Sequence, residues 1–276
     1  MSTPKVAVLG GGVMGTTVAS AVLAAGWDGA DVTVAEPRAE RRAELTAEHG
    51  LATAETAAEA VAGAGVVVVA VKPNQVGAVL EEVAPALEAD VVVVTVAAGL
   101  AAAFYEERLP AGTPVVRVMP NTPAVIGKGA SAVAPGAHAS EEHVALTERL
   151  LASTGLVVRV AEKDLDAVTA VSGSGPAYVF YVIDAMAEAG VLLGLTRELA
   201  TQLAVATVEG AGAMVSQTGE HPAVLRERVS SPGGTTVAAL QVLDEHGVRA
   251  GILAAAERCR DRSLELGAPA PGPSAS

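Results

Sequence analysis

Short runs of β-branched residues alternate with helix-length segments through the first half of the chain. Most of these runs are continuously apolar, which is typical of parallel strands that are covered on both faces. They predict strands at residues 5–9, 31–35, 66–71, 91–96 and 114–119. The segments between them have the length and composition of helices, most clearly at 13–25, 38–48 and 74–88. The alternation predicts a doubly wound, parallel α/β sheet with helices on both faces.

The second half of the chain has a different pattern. Two further apolar runs, at 130–134 and 156–160, flank a predicted helix at about 140–153 and extend the sheet. After Glu162, stretches rich in Ala, Leu and Glu predict helices at 163–172, 176–194, 197–217, 222–229, 235–246 and 248–266. We therefore predict an α/β domain at 1–162, an all-helical domain at 163–266 and a disordered tail rich in Pro, Ala, Gly and Ser at 267–276.

Composition narrows the classes of function. The chain has 276 residues, which suits two domains, and it has a formal net charge of −13 with only 2% aromatic residues. Nucleic-acid binding needs a basic surface and often aromatic stacking platforms, so we expect no nucleic-acid partner. The only cysteine is Cys259, and no two of the five histidines are three or four residues apart. We therefore expect no intrachain disulfide and no metal site.

The apolar runs are too short for a membrane protein. The valine-rich uncharged run at 91–105 has 15 residues and contains a glycine, whereas a helix needs about 20 to cross a bilayer. The apolar run after Lys5 ends in glycines too early for a signal-peptide core. We therefore expect a cytoplasmic protein without a membrane partner.

A glycine-rich loop follows the first predicted strand at once. It fits the pattern G-x-G-x-x-G and consists of Gly10, Gly11, Gly12, Val13, Met14 and Gly15. The first glycine permits the tight turn, the second lets a pyrophosphate approach the backbone, and the third lets the helix pack close to the sheet. A bare strand-to-helix turn is the alternative. Because the loop lies between a strand and a helix in a βαβ unit, we favour a Rossmann-type domain that binds a dinucleotide.

The end of the second predicted strand leaves the choice of dinucleotide open. Glu36 lies 21 residues after Gly15, where an acidic side chain accepts hydrogen bonds from the ribose hydroxyls of NAD(H). Arg38, Arg41 and Arg42 follow, and arginines at this point can bind the 2′-phosphate of NADP(H). For any one of them, a solvent-exposed helix face is an equally good explanation.

Three other strand ends carry small, proline-fixed or polar residues. In a parallel sheet, ligands bind beyond the carboxyl ends of the strands. Taken alone, each of these strand ends is an ordinary turn. As further candidates for cofactor binding we name Ala70, Val71, Lys72, Pro73, Ala97, Ala98, Gly99 and Asn121.

Two glycine turns in the second half precede predicted helices. The turn SPGGTT contains Ser231, Gly233, Gly234, Thr235 and Thr236, and free N–H groups at such a helix start attract an anion. A turn that only caps the helix is the alternative. The turn SGSGP, with Ser172, Gly173, Ser174 and Gly175, either lets helices approach closely or forms part of a cleft wall.

Read together, six motifs resemble the pyrroline-5-carboxylate reductase family. They are GGGVMG, AVKPNQV, VTVAAGL, PVVRVMPNTPA, LDAVTAVSGSGPAYVF and SPGGTTVAAL, and the resemblance covers about residues 5–266. It implies a Rossmann domain followed by a helical dimerisation domain, and a homodimer that can assemble into a decamer. It also implies reduction of 1-pyrroline-5-carboxylate to L-proline with NADPH. Glu36 departs from the short polar residue that many members have there, so NADH remains the alternative.

The resemblance also gives the two glycine turns of the second half a function. Because the loop at 10–15 takes the pyrophosphate, SPGGTT is free to bind the substrate carboxylate. The resemblance places Thr236 opposite the ring nitrogen, and it implies a cleft between the domains, completed by helices of a second subunit. Ser172, Gly173, Ser174 and Gly175 are included as substrate-binding candidates.

Two rival functions follow from the same first domain. A β-hydroxyacid dehydrogenase would need a basic catalytic side chain, but the second half offers only Lys163 at its edge and no Lys or His in SGSGP or SPGGTT. A nucleotide-sensing protein would bind the dinucleotide without turnover. Oxidation of NADPH in the presence of the cyclic imine distinguishes these possibilities.

Overall fold

A computed structural model describes residues 3–267 and contains one sheet of eight strands. The strands lie in the order β3-β2-β1-β4-β5-β6-β7-β8. Their bounds are β1 (Val6–Leu9), β2 (Val32–Ala35), β3 (Ala52–Ala54), β4 (Val66–Val69), β5 (Val92–Thr95), β6 (Val115–Met119), β7 (Gly129–Pro135) and β8 (Gly155–Arg159). The first six strands have the order of a dinucleotide-binding sheet, which confirms the predicted Rossmann-type architecture.

One pair of strands departs from the parallel arrangement of the rest of the sheet. β7 runs antiparallel to β6, with Val118 opposite Val133, and β8 is parallel to β7. The connection from β6 to β7 consists of residues 120–128 and forms only a short 3-10 helix, Thr122–Ile126. A parallel pairing needs a crossover of a dozen or more residues, so this short connection reverses the strand direction.

Helices cover both faces of the sheet. Alternate residues of each strand face opposite sides, so Val8 packs in one apolar layer and Leu9 in the other. The helices of this part of the chain are α1 (Val13–Ala24), α2 (Ala39–His49), α3 (Ala57–Val61), α4 (Pro73–Val83), α5 (Ala102–Glu106), α6 (Glu141–Leu151) and α7 (Leu165–Val168). This double burial explains why the central strands β1, β4 and β5 are rich in Val and carry no polar alternation.

The hydrophobic pattern did not predict three short elements. These are β3, α3 and α5, which have three to five residues each. The helix predicted at 163–172 is also interrupted, because α7 ends at Val168 and a π-helical turn, Thr169–Gly173, follows it. Such short segments have too few residues to show a period.

The chain divides into two compact units, residues 3–173 with 259–267 and Ser174–Arg258. The domain boundary that the sequence predicts after residue 162 marks the end of the sheet. The first unit continues beyond it because Leu165, which is 3% exposed, packs with Ala132 and Ala134 of β7. The predicted tail at 267–276 lies outside the described residues, except for Gly267 at the end of the last helix.

The second unit is built from helices. They are α8 (Gly175–Leu192), α9 (Arg197–Thr218), α10 (Pro222–Arg228), α11 (Thr235–Glu245) and α12 (Val248–Gly267), the last of which ends in the first unit. Thr196 caps α9 by accepting a hydrogen bond from the Leu199 N–H at 3.3 Å, and Gly219, with a φ of +66°, ends it. Over the range 3–267, no helix is long and apolar enough to cross a membrane.

Candidate active site

The glycine loop after β1 has a geometry that only glycine permits. Gly10 has a φ of +110°, and a Cβ there would lie 3.1 Å from the Ala70 carbonyl oxygen. A Cβ on Gly15 would overlap the Gly10 carbonyl oxygen, so this glycine allows α1 to start close to the sheet. At Gly12, by contrast, a Cβ would meet no protein atom within 4 Å. The open side of the loop therefore lies at Gly12.

The start of α1 is an uncapped helix N-terminus. Gly12 is the N-cap residue, has an extended backbone, and provides no side chain to cap the helix. The first turn contains no acidic residue. Free N–H groups and the positive end of the helix dipole make such a helix start suitable for a phosphate.

A groove of about 950 Å³ lies at the carboxyl ends of β1, β2 and β4. The predicted cofactor residues that line it are Gly10, Gly11, Gly12, Glu36, Arg38, Ala70, Val71 and Lys72. The sequence did not indicate several others, notably Glu55, Thr56, Asn74, Gln75 and Glu82. Glu55 and Thr56 follow β3, which the hydrophobic pattern did not predict. Asn74 and Gln75 follow Pro73 directly, and their position after a predicted strand end could have identified them.

Glu36 is buried at the end of β2 and is held by several donors. Its carboxylate accepts hydrogen bonds from the Arg38 Nε at 2.9 Å and the Arg38 backbone N–H at 3.1 Å. Burial raises the pKa of Glu36, but these hydrogen bonds, the charge of Arg38 and a hydrogen bond from the Gly11 N–H lower it below its usual value. The side chain is therefore an anion beside the glycine loop.

The three arginines after Glu36 have different contacts. The side chain of Arg38 is 70% exposed at the groove. Arg41 donates from Nε to the Gly11 carbonyl oxygen at 3.0 Å, and Arg42 donates to the Glu36 carbonyl oxygen at 2.8 Å. Arg41 and Arg42 therefore stabilise the backbone around the loop, and Arg38 has the side chain that is most available to a ligand.

Some predicted cofactor residues lie outside this groove. Val13 is 68% exposed and lines a second groove of about 410 Å³ with residues of α1, α2 and the 3-10 helices. Met14 packs against the apolar layer under α1, and Pro73 begins α4. Of these residues, Val13 and Met14 still provide backbone N–H groups in the first turn of α1.

Asn121 forms hydrogen bonds with the backbone at both ends of its amide. Its Nδ2 donates to the Ser172 carbonyl oxygen at 3.1 Å, and its Oδ1 accepts from the Ala130 N–H at 2.8 Å. The side chain therefore joins the end of β6 to β7 and to the SGSGP turn. These contacts account for the asparagine without a ligand, so its predicted cofactor role stays a prediction.

The SGSGP turn spans the division between the two units. Ser172 and Gly173 end the first unit, and a Cβ on Gly173 would lie only 2.5 Å from the Met119 Cε. Ser174 is the N-cap residue of α8, which starts at Gly175. A side chain at 173 would therefore displace the flexible end of Met119, which lies on β6. Both explanations of the SGSGP turn stay predictions.

The SPGGTT turn presents a second uncapped helix start. Gly233 has a φ of +67°, the Gly234 N–H donates to the Ser231 carbonyl oxygen at 2.9 Å, and no side chain caps α11. A Cβ on Gly234 would overlap the Ser231 Oγ, which can rotate, and would lie 3.0 Å from the Ser231 carbonyl oxygen, so this position is crowded.

The two threonines that follow this turn are available to a ligand. Thr235 is exposed and Thr236 is half-buried. Neither hydroxyl has a hydrogen-bond partner within the described part of the chain. The first turn of α11 therefore offers both hydroxyl and N–H groups.

The described residues 3–267 contain no group of three or more His, Cys, Asp or Glu side chains that could hold a metal ion. The two uncapped helix starts lie each within its own unit. α1 lies in the first unit and α11 in the second.

Comparisons with known proteins agree with both halves of the chain. A family model described as pyrroline-5-carboxylate reductase dimerisation matches residues 162–266, and one described as NADP oxidoreductase, coenzyme F420-dependent, matches residues 5–99. A pyrroline-5-carboxylate reductase from Corynebacterium melassecola is 46% identical over 265 residues, which cover 95% of this chain and 98% of that protein.

Two solved structures have the same fold along nearly the whole chain. The pyrroline-5-carboxylate reductase from Coxiella burnetii matches with a TM-score of 0.91 and 32% identity, covering 97% of this chain and 100% of that one. The crystal structure of Plasmodium falciparum pyrroline carboxylate reductase with NADP bound matches with a TM-score of 0.87 and 28% identity over the same shares. The chain therefore belongs to the pyrroline-5-carboxylate reductase family of NAD(P)H-dependent oxidoreductases.

Proposed function

We propose that this chain reduces 1-pyrroline-5-carboxylate to L-proline with NAD(P)H. The observation that carries the proposal is the presence of two separate uncapped glycine turns at helix starts. The turn at α1 suits the pyrophosphate of a dinucleotide, and the turn at α11 leaves a second anion site for a substrate carboxylate. The relatives reported above are named pyrroline-5-carboxylate reductases.

The glycine loop fits a dinucleotide. The space beyond Gly12, which a Cβ would enter without meeting protein, is the space through which a pyrophosphate passes in this motif. Backbone N–H groups of Val13 and Met14 face the phosphates in this arrangement. When bound, NAD(P)H supplies the hydride that reduces the imine carbon.

Glu36 and Arg38 determine which dinucleotide binds in this proposal. The Glu36 carboxylate accepts hydrogen bonds from ribose hydroxyls, whereas the exposed Arg38 guanidinium binds a 2′-phosphate. We expect NADPH as the cofactor, with NADH as the alternative. The NADP bound to the Plasmodium falciparum relative supports this order.

The substrate carboxylate binds at the start of α11 in this proposal. Gly233 and Gly234 give the turn its shape, and the N–H groups of Thr235 and Thr236 attract the anion together with the helix dipole. Ser231 holds the turn through its carbonyl oxygen. Ser172, Gly173, Ser174 and Gly175 remain proposed substrate-binding residues, supported by their position next to α8.

Thr236 orients the ring nitrogen of the imine. Its hydroxyl can donate a hydrogen bond to this nitrogen and relay a proton to it from solvent, which balances the hydride that arrives at the carbon. An iminium form of the substrate brings this proton from solution. We therefore assign Thr236 to orientation first and to proton transfer second.

The second unit suits a homodimer at minimum. Large apolar side chains are exposed along α8, among them Phe180 at 62%, Tyr181 at 78% and Leu192 at 88%. Apolar surface of this kind marks an interface between proteins, and the match to a dimerisation model indicates a second copy of the chain. We further propose that five dimers form a decamer, and that the enzyme acts in the cytoplasm. Light scattering of the purified protein measures the assembly.

Initial rates test the proposal directly. NADPH and NADH are compared with cyclic imine carboxylates that have five- and six-membered rings. We expect oxidation of NADPH with the five-membered imine to be the fastest of the four reactions. Binding of NADPH without turnover on either imine would instead indicate a nucleotide sensor and would refute the proposal.

A further inference from the structure

The loop between β5 and α5 is held at both ends by polar contacts, one of them buried and the other partly buried. It consists of residues 97–101, begins two residues after Thr95, the last residue of β5, and turns at Gly99, which has a φ of +82°. Ala97, Ala98 and Gly99 carry no polar side chain, so a ligand at this strand end meets only their backbone. The orientation of that backbone therefore depends on the contacts that anchor it.

The first anchor is a pair of buried hydroxyls. Thr95 and Tyr105 are 1% and 0% exposed, and their oxygens lie 2.6 Å apart. The Thr95 Oγ1 also accepts a hydrogen bond from the Ala97 N–H at 3.3 Å. Burial raises the pKa of Tyr105, so its hydroxyl keeps its proton. The Ala97 N–H has no other acceptor in the described residues and would be left unpaired without Thr95.

The second anchor is an ion pair at the start of α5. The Glu162 Oε1 accepts a hydrogen bond from the Ala102 N–H and one from the Arg117 guanidinium, each at 2.7 Å. The Arg117 side chain is only 15% exposed. This contact joins the end of the loop to β6.

The position of the loop in the sheet suggests what it contacts. The groove described above covers the ends of β2, β1 and β4, and β5 is the next strand beyond β4. A dinucleotide lies across the point where the strand order reverses, so its second half extends past the ends of β4 and β5. The loop at 97–101 therefore lies on the side of the nicotinamide.

We propose that Thr95 and Tyr105 are positioning residues for hydride transfer. Their hydroxyl pair holds the Ala97 N–H, and through it the loop that supports the nicotinamide ring. This inference rests on the proposed function. It adds that catalysis depends on two buried hydroxyls that do not touch the cofactor themselves.

The test compares Thr95→Val with two other variants. Thr95→Ser keeps the hydroxyl at this position. Thr147→Val removes a hydroxyl from another fully buried threonine, on α6, and serves as the matched control. For each protein, kcat is measured per nucleotide-binding site, and the dissociation constant of NADPH is measured by calorimetry. The nicotinamide fluorescence of bound NADPH is recorded as well, because it reports the ring environment without turnover.

We expect Thr95→Val to lower kcat roughly tenfold or more, since small misplacements of reactants cost this much. The dissociation constant should change little, because the pyrophosphate and adenosine are held elsewhere. Bound NADPH should also show an altered emission, while Thr95→Ser and Thr147→Val should resemble the unmodified protein.

Equal kcat values and emission spectra for Thr95→Val and Thr147→Val would overturn the inference. If Thr95→Val binds no nucleotide, Tyr105→Phe, which keeps the aromatic ring, carries the same expectation. Should the unmodified protein fail to turn over the imine, the proposed function is wrong. The emission of bound NADPH then still decides whether Thr95 positions the ring.

Discussion

The Glu36 carboxylate at the end of β2 allows a quantitative test of cofactor choice. We consider Glu36→Ser, which removes the charge and keeps a short polar side chain. Its partner Arg38 is 70% exposed on its side chain, so the change leaves no buried unpaired charge. The variant is therefore expected to fold, and any change in kinetics reports on the groove.

The magnitude follows from two effects with the same direction. A hydrogen bond from a ribose hydroxyl to a carboxylate is worth about 1.5–3 kcal/mol, and its loss lowers kcat/KM with NADH roughly ten- to hundredfold. In the unmodified protein, repulsion between the Glu36 carboxylate and a 2′-phosphate about 4 Å away weakens NADPH binding. This repulsion amounts to about 1 kcal/mol in water and about 4 kcal/mol at an effective dielectric constant of 20. Removing it favours NADPH. The ratio of kcat/KM for NADPH to that for NADH should rise at least about tenfold.

The assay is the initial rate of NADPH or NADH oxidation with 1-pyrroline-5-carboxylate. Glu48→Ser is the control, because Glu48 is an exposed acid on α2 that does not line the groove. An unchanged ratio in Glu36→Ser would refute the contact between Glu36 and the ribose. An equal change in both variants would show only a long-range effect of charge.

Four further predictions concern the two helix starts and Glu36. Gly15→Ala should abolish nucleotide binding in calorimetry, because its Cβ would overlap the carbonyl oxygen of the first loop glycine; wild-type affinity would contradict the close approach. Gly234→Ala should raise the KM for the imine several-fold and leave NADPH affinity unchanged, since its Cβ would crowd the Ser231 hydroxyl and carbonyl oxygen that shape the turn at α11; a raised dissociation constant for NADPH alone would contradict the assignment of the two turns. Thr236→Ala should lower kcat about tenfold or more with unchanged nucleotide binding, and identical kinetics would remove Thr236 from the mechanism. The pKa of Glu36 is lower in the folded state, so its charge stabilises the fold above about pH 4.5, and this effect is lost as the pH falls below that value. The unfolding temperature of Glu36→Gln should therefore lie below that of the unmodified protein at neutral pH and approach it only in the acidic range.

The local hydrophobic pattern was sufficient to predict strands made of continuous apolar residues. Apolar runs predicted seven of the eight strands. Most of these strands are buried on both faces and need no polar alternation, although β8 is largely exposed. The strand that was missed, β3, has only three residues. The hydrophobic pattern could not predict the direction of β7 either, because this direction depends on the short connection from β6 and not on hydrophobicity.

At the candidate site, the contacts that the sequence could not predict join residues that are far apart in sequence. The glycine loop could be predicted because its turn, helix start and strand are neighbours in sequence. Asn121, by contrast, binds the carbonyl oxygen of Ser172, 51 residues later, and Glu162 pairs with Arg117, 45 residues earlier. Likewise, the arginines after Glu36 are long and flexible, so which acceptor each reaches depends on the folded arrangement. Such partners become visible only when the strands are in place.

The most direct test of the proposed function is the amount of L-proline formed for each NAD(P)H oxidised in one reaction. The purified enzyme is incubated with 1-pyrroline-5-carboxylate, NAD(P)H oxidation is recorded by absorbance, and proline is measured by chiral chromatography. We predict equal molar amounts of oxidised cofactor and L-proline. Cofactor oxidation without L-proline, or no oxidation at all, would contradict the proposed function.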